Sequence, residues 1–314
     1  MEITSADFHS DCLESVLFSY YIPRGGLRKR RISGKLTKTV FICLNFFAEG
    51  MNTRPRFGMM WRDIKDIGNM KNTIEDRVKH YWTLRARDFG SVRRNELENQ
   101  MSWRWLEEIQ NFLPDGKKLD ILDVGTGTGF FAVLLAEEGH RVQGVDLTPA
   151  MLEEAKQLAD ERQLDIVFCQ MDAQSLDYED ESFDVVLSRN LSWTLPDPEQ
   201  AYKEWHRVLR PGGILLNFDA NYGDYVRSES LQNASVSSDS PYGHVGMTEE
   251  LAQENVGITL AMEISREVRP AWDLDVLTRI GFQDVHADQT TGARVLEELD
   301  LKMAPMFGIY AQKK

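Results

Sequence analysis

The sequence predicts an α/β fold built on a mostly parallel sheet with helices on both faces. Three observations carry that expectation. First, Leu119-Asp120-Ile121-Leu122-Asp123-Val124 is a short apolar run, too brief for a free helix and closed by glycine, so it reads as a buried strand. Second, Gly125-Thr126-Gly127-Thr128-Gly129 and the apolar run Phe130-Phe131-Ala132-Val133-Leu134-Leu135-Ala136 follow as a turn and a helix, the first half of a nucleotide-binding βαβ unit. Third, His140-Arg141-Val142-Gln143-Gly144-Val145-Asp146 reads as a second strand ending in an acid.

The turn narrows the ligand. Glycine is needed where the chain reverses tightly and a ligand lies against bare backbone, and the helix that follows offers unpaired N–H groups beside it. A dinucleotide fingerprint would carry its third glycine at position 130, where this chain has Phe130. The pattern is G-x-G-x-G, with Asp123 two residues ahead of Gly125. Asp146 lies 17 residues past Gly129, placed to reach a ribose hydroxyl pair.

With these residues the chain resembles the class I S-adenosylmethionine-dependent methyltransferases. The resemblance extends over roughly residues 73–314. A third strand in Asp165-Ile166-Val167-Phe168-Cys169-Gln170-Met171-Asp172-Ala173 supplies, at Asp172, the acid that recognises adenine in that family. A fourth strand is Phe183-Asp184-Val185-Val186-Leu187-Ser188-Arg189-Asn190. The turn Leu209-Arg210-Pro211-Gly212-Gly213 then leads into strand Ile214-Leu215-Leu216-Asn217-Phe218. The likeness is strongest to the small-molecule branch that includes ubiquinone and menaquinone C-methyltransferases. It implies a Rossmann-like seven-stranded sheet of order 3-2-1-4-5-7-6 with a lid inserted after strand five. It also implies S-adenosyl-L-methionine as cofactor, bound by Asp123, Gly125, Thr126, Gly127, Gly129, Asp146, Leu147, Met151, Asp172, Ala173 and Arg189.

Composition is that of a soluble globular protein. No apolar run approaches the roughly 20 residues that cross a bilayer. Cys12, Cys43 and Cys169 are far apart and lack metal-type spacing, so neither a disulfide scaffold nor a metal site is expected, and a reducing cytoplasm suits them. The net charge of −14 argues against nucleic acid as a partner. It is unevenly spread, +4 over residues 1–69 and −18 over the remainder, which places the main boundary near residue 70.

Residues 1–69 match no folded domain. Pro23-Arg24-Gly25-Gly26-Leu27-Arg28-Lys29-Arg30-Arg31 is basic and turn-rich, and Val40-Phe41-Ile42-Cys43-Leu44-Asn45-Phe46-Phe47 is apolar. A poorly ordered or non-native extension and a membrane-surface element both fit. Residues 70–314 are expected to form the methyltransferase domain, with cap helices over 70–115 and the lid over 219–270. Thr73 with Asp76 resembles a capping box and starts a helix that carries Ile74, Val78, Tyr81, Trp82 and Arg85 on one side. By resemblance Tyr81 closes the cofactor pocket and Arg85 sits near the cofactor carboxylate, although packing alone also explains Tyr81 and Trp82. A second helix over about 93–113 presents Leu97, Met101, Trp105, Leu106, Ile109 and Leu113 on one face.

Thr148-Pro149 is a capped helix entry for residues 150–161. After strand four, Asn190 and Trp193 stand on a loop at the carboxyl end of a central strand, where open α/β sheets bind ligands, and are the first substrate-side candidates. Asp184 is expected to anchor neighbouring backbone. Within the lid, Tyr222 and Tyr242 are further substrate candidates, and residues 248–254 form a short helix. A helix over 271–280, a strand over 282–287, a short helix near 293–299 and a strand over 306–312 close the chain.

Methyl transfer from a sulfonium is an in-line displacement in which alignment does much of the work, so no catalytic triad is required. A base is needed for a neutral alcohol or carbon acid, and His244 is the candidate, with His206 expected on the surface. The expected reaction is methyl transfer to a small-molecule acceptor. Two alternatives stay open on sequence alone: a nicotinamide-dependent oxidoreductase, and a non-catalytic S-adenosylmethionine-binding protein.

Overall fold

The computed structural model describes residues 17–21, 28–32, 73–227, 246–296 and 305–314. The chain divides into two units, Met1–Met70 and Lys71–Lys314. In the first, Leu17–Tyr21 pairs antiparallel with Arg28–Ile32, with Leu17 opposite Ile32. The apolar run at 40–47 lies outside the described residues.

The second unit begins with a reciprocal cap. The Thr73 hydroxyl accepts from the Asp76 N–H at 3.1 Å, and Asp76 accepts from the Thr73 N–H at 3.0 Å. Helix α1 then runs from Ile74 to Glu98, straight through the point where a second helix was expected to start. Gly90 does not end it. A Cβ there would lie 2.8 Å from a carboxylate oxygen of Glu154, so this glycine serves a close helix–helix approach. The break falls at Asn99, whose side chain accepts from the Met101 N–H at 2.8 Å and caps α2 (Gln100–Gln110). Met101, Trp105 and Ile109 form the fully buried stripe of α2.

The alternating pattern then unfolds as β1 (Asp120–Val124), α3 (Phe130–Glu137), β2 (Arg141–Asp146), α4 (Pro149–Glu161), β3 (Val167–Gln170) and β4 (Phe183–Arg189). It continues through a 3-10 turn (Ser192–Thr194), α5 (Pro198–Val208), β5 (Leu209–Ala220), α6 (Tyr222–Arg227) and α7 (Glu249–Ala261). A second 3-10 turn (Glu263–Arg266), α8 (Ala271–Ile280), β6 (Phe282–Asp288), α9 (Thr291–Val295) and β7 (Met306–Lys313) complete it. The sheet order is β3-β2-β1-β4-β5-β7-β6, parallel from β3 to β5 and antiparallel at β7, as expected.

Local details differ from the sequence reading. Thr148 precedes α4 but makes no side-chain cap; its N–H donates to Asp146 Oδ1 at 2.8 Å instead. Leu209–Gly213, expected as a turn, belongs to β5. Phe183 pairs with Leu209 and Val185 with Ile214, so the extra residues are absorbed as a bulge. Helix α7 is longer than the expected 248–254: Thr248 caps it, and it continues through Gly257 to Ala261. Helix α9 starts earlier than expected. The Asp184 carboxylate accepts from the Asp120 N–H at 2.8 Å and so ties β4 to β1.

The sheet separates two cores. On one face Trp105 meets Phe131 and Phe218 edge-on, at ring-centroid distances of 5.1 and 5.0 Å. On the other, Tyr202 and Trp205 of α5 pack with Val276 and Leu277 of α8. A third, smaller cluster joins Val78 and Tyr81 of α1 to Ile258, Met262 and Ile264. The chain reverses direction across the sheet between β1 and β4, which opens a crevice at their carboxyl ends. No helix among the described residues is long and apolar enough to cross a membrane.

Candidate active site

That crevice is a cavity of about 320 Å³, bounded by the glycine turn, the ends of β2 and β4, and helices α1 and α7. Tyr81, Arg85, Asp123, Gly125, Thr126, Gly127, Asp146, Leu147, Met151, Asp172, Ala173, Arg189, Asn190, Trp193 and Tyr222 all line it. Gly129 does not. A Cβ there would lie 3.1 Å from the Ala155 Cβ, so this third glycine packs α3 against α4. Tyr242 and His244 lie outside the described residues. His206 is half-buried against the Phe282 ring on α5, remote from the cavity lining, and burial lowers its pKa.

The turn is organised from below by Asp123. Its buried Oδ2 accepts from the Thr126 hydroxyl at 2.7 Å and from the Ala132 N–H at 3.1 Å, so it braces the loop and the start of α3. Burial pushes this carboxyl up to about 7 against those two hydrogen bonds. Gly125 and Gly127 take left-handed backbone, φ +67° and +54°. A Cβ on Gly127 would meet only the Gly125 carbonyl oxygen, at 3.9 Å, so the space beside it belongs to the cavity.

Asp146 ends β2 with both oxygens engaged: Oδ2 accepts from the Gly127 N–H at 3.0 Å and Oδ1 from the Thr148 N–H at 2.8 Å. Each carboxylate oxygen accepts twice, so the group keeps capacity for two ligand hydroxyls. Burial raises its pKa, offset by those backbone donors. Asp172 is held by Gln174, which donates from its backbone at 2.9 Å and its side-chain amide at 3.0 Å, while the Gln174 carbonyl oxygen accepts from the Asp197 N–H at 2.7 Å. Gln174 also lines the cavity.

The opposite wall is cationic and aromatic. Arg189 was expected at the cofactor. It lines the cavity, and its guanidinium makes a two-pronged pair with Glu96, 3.0 Å at each arm, and lies 4.6 Å over the Trp105 ring. Arg93 bonds the same carboxylate at Oε2 and lies 4.4 Å over Phe89. Burial alone would raise the Glu96 carboxyl, but the two guanidinium charges outweigh it and hold it below the usual range. Arg93, Glu96, Phe89 and Gln174 were missed by sequence reasoning. The available signal was spacing: Phe89, Arg93 and Glu96 continue the α1 face that carries Tyr81 and Arg85.

The substrate-side loop has its own support. Asp219 Oδ2 accepts from the Trp193 N–H at 3.1 Å and from Arg269 at 2.9 Å, and Arg269 also binds Asp273 and the Ser192 hydroxyl, each at 2.8 Å. The Trp193 indole N–H donates to the Asn190 carbonyl at 3.0 Å, and its ring lies 4.8 Å from that of Tyr222. Helix α7 is tied over the cavity by the Arg77–Glu254 pair, at 2.8 and 3.1 Å.

A family profile described as a methyltransferase domain matches residues 122–217, from within β1 into β5. The chain is 29% identical over 195 residues to a ubiquinone biosynthesis O-methyltransferase of Coxiella burnetii, covering 60% of this chain and 80% of that protein. It is 44% identical over 102 residues to a demethylmenaquinone methyltransferase of Deinococcus radiodurans, covering 31% and 42%. The chain is a class I S-adenosylmethionine-dependent methyltransferase. It transfers a methyl group from that cofactor to a small-molecule acceptor, and the nicotinamide alternative is not favoured. Among solved structures, a phosphoethanolamine N-methyltransferase 2 of Haemonchus contortus in complex with S-adenosyl-L-methionine matches with TM-score 0.47 and 18% identity, covering 79% of this methyltransferase and 59% of that chain. The residues present fit the cofactor: a glycine turn open to the cavity, and beside it a carboxylate with acceptor capacity to spare.

Proposed function

We propose that this methyltransferase acts on a hydroxylated aromatic small molecule, whose reacting atom is held beside Phe89, Trp193 and Tyr222. The carrying observation is that one cavity continues from the glycine turn to this aromatic wall. The names of the relatives, which refer to ubiquinone biosynthesis and to demethylmenaquinone, support the reading.

Within the cavity, Gly125, Thr126 and Gly127 give bare backbone to the methionine part of the cofactor, and Asp146 takes the ribose hydroxyls. Asp172 and Ala173 face the adenine edge, and Leu147 and Met151 flank the ring. Tyr81 and Arg85 close the far end. Asp123 braces the turn from the cavity wall, and Arg189 fixes Glu96. S-adenosylmethionine, when bound, supplies an electrophilic methyl on sulfur. The chain contributes alignment, which supplies up to about 7–11 kcal/mol in well-oriented systems. Water is excluded by α1 and α7. Asn190 and Trp193 position the acceptor together with Tyr222 and Tyr242, and His244 takes its proton where one must leave.

Residues 1–69 are assigned as an extension outside the catalytic domain of residues 70–314. The spacing of Cys12, Cys43 and Cys169 supports a cytoplasmic location, and the net charge of −14 supports a metabolite over nucleic acid. Methyl-group transfer from labelled S-adenosylmethionine to a panel of catechols and demethylated quinols, with amines and thiols as controls, tests the acceptor class. Label on phenolic oxygen or ring carbon is expected; label on amines or thiols alone overturns it.

A further inference from the structure

The two ends of the cavity differ in charge. Asp146 and Asp172 stand at the sheet end, whereas Arg85, Arg93 and Arg189 stand at the α1 end with Glu96 as the buried anion among them. Arg85 and Arg93 are both buried and both line the cavity. They are eight residues apart on one helix, so their attachment points are separated by about 12 Å along its axis. Each guanidinium carries its own fork of donors, so the two can serve two separate anions. The cofactor carries one carboxylate, for which Arg85 is the assigned partner.

Arg93 is therefore left with a second anion to meet. A guanidinium has five donors, and among the described residues the hydrogen-bond partner of Arg93 is Glu96 alone. Glu96 is shared with Arg189, which takes both of its oxygens, so two guanidinium groups face one buried carboxylate. The contrast with Arg269 is instructive. That arginine sits between Asp219 and Asp273 with donors at Nε and at both terminal nitrogens engaged, and it is not part of the cavity lining. It is a closed structural knot. The Arg93–Glu96–Arg189 triad has the opposite charge balance and opens onto the cavity.

We propose that Arg93, supported by Arg189, is an anion-recognising residue for the methyl acceptor, and that the acceptor carries a carboxylate beside its reacting group. The Asn190 Oδ1, buried at the same cavity without a hydrogen-bond partner among the described residues, accepts from a hydroxyl of that molecule. The planar fork of Arg93 suits a carboxylate held in two places, and Phe89 beneath it keeps the guanidinium in place. This rests on the reading of the site as a cofactor pocket with an aromatic acceptor.

The test is a calorimetric titration of the full chain, first with S-adenosylhomocysteine and then, on the saturated complex, with 3,4-dihydroxybenzoate and 3,4-dihydroxybenzamide, a pair that differs in charge and little in shape. The acid is expected to bind at least about tenfold more tightly than the amide. Arg93→Met should bring the two within about twofold while the affinity for S-adenosylhomocysteine stays unchanged, and Arg93→Lys should retain part of the preference. Equal binding, absence of binding by both compounds, or a preference that survives Arg93→Met overturns the proposal. Weakened S-adenosylhomocysteine binding in Arg93→Met also overturns it, by placing Arg93 on the cofactor. Failure of the wild-type chain to bind S-adenosylhomocysteine would instead strike the cofactor reading beneath it.

Discussion

The sheet end and the α1 end of the cavity are built differently. At the sheet end the contacts come from backbone and from short acids at strand termini: Gly125 and Gly127 at left-handed φ, Asp123 bracing them, Asp146 tied to two backbone N–H groups. At the α1 end they come from long side chains on a helix outside the sheet, locked by ion pairs and rings: Arg93 over Phe89, Arg189 over Trp105, Glu96 between them. The first construction is set by the path of the chain and suits a ligand shared across a family. The second is set by side-chain identity and can be rewritten without disturbing the sheet, which is where a specific acceptor is read.

Four changes sharpen or break that contrast. The largest effect is expected at Glu96, which is fully buried. Glu96→Ala leaves the buried Arg93 and the part-buried Arg189 without their anion and should cost about 3–5 kcal/mol in urea unfolding. A loss below about 1 kcal/mol would mean that the triad is solvated. Next, Gly127→Val places a branched side chain at φ +54° in the cofactor space. It should weaken S-adenosylhomocysteine binding by about a hundredfold or more, about 2.7 kcal/mol, with far-UV circular dichroism retained. Normal affinity would remove the turn from the site. Asp146→Ala should cost about 10- to 100-fold in the same titration, the worth of hydrogen bonds to a charged group; unchanged affinity in the folded variant would sink the ribose assignment.

The smallest expected change is in pH dependence. The Asp123 carboxyl titrates at about 7 in the fold, against 3.8 in its ordinary range. The folded chain therefore holds an extra proton between those values. Stability from this group is complete below the lower value and is lost as pH rises to about 7. Asp123→Asn should flatten the fall in unfolding free energy from pH 4 to pH 7. An identical slope in both proteins would show that the carboxyl titrates elsewhere.

The same contrast explains what could be read in advance. The individual strands and the glycine turn follow from period and glycine placement, which are local signals, whereas the strand order came from the family resemblance that those motifs carry. Asp123 was legible as important, but its role as a brace beneath the turn depends on the Ala132 N–H nine residues on. Arg93 and Glu96 were hidden because a separate helix was expected to start near residue 93, whereas α1 runs unbroken through Gly90, where Glu154 of α4 packs close. Arg189 was assigned to the cofactor by resemblance, and its pairing with Glu96, 93 residues away, has no local signature. The tie of α7 to α1 through Arg77 and Glu254, 177 residues apart, has no local signature at all.

The most direct test of the central claim is a pair of calorimetric titrations of the full chain, one with S-adenosylhomocysteine and one with NAD. One saturable site for S-adenosylhomocysteine, lost in Gly127→Val, and no heat from NAD is the predicted result. Saturable binding of NAD, or S-adenosylhomocysteine binding that survives Gly127→Val unchanged, would contradict the assignment of the glycine turn to the methyl donor.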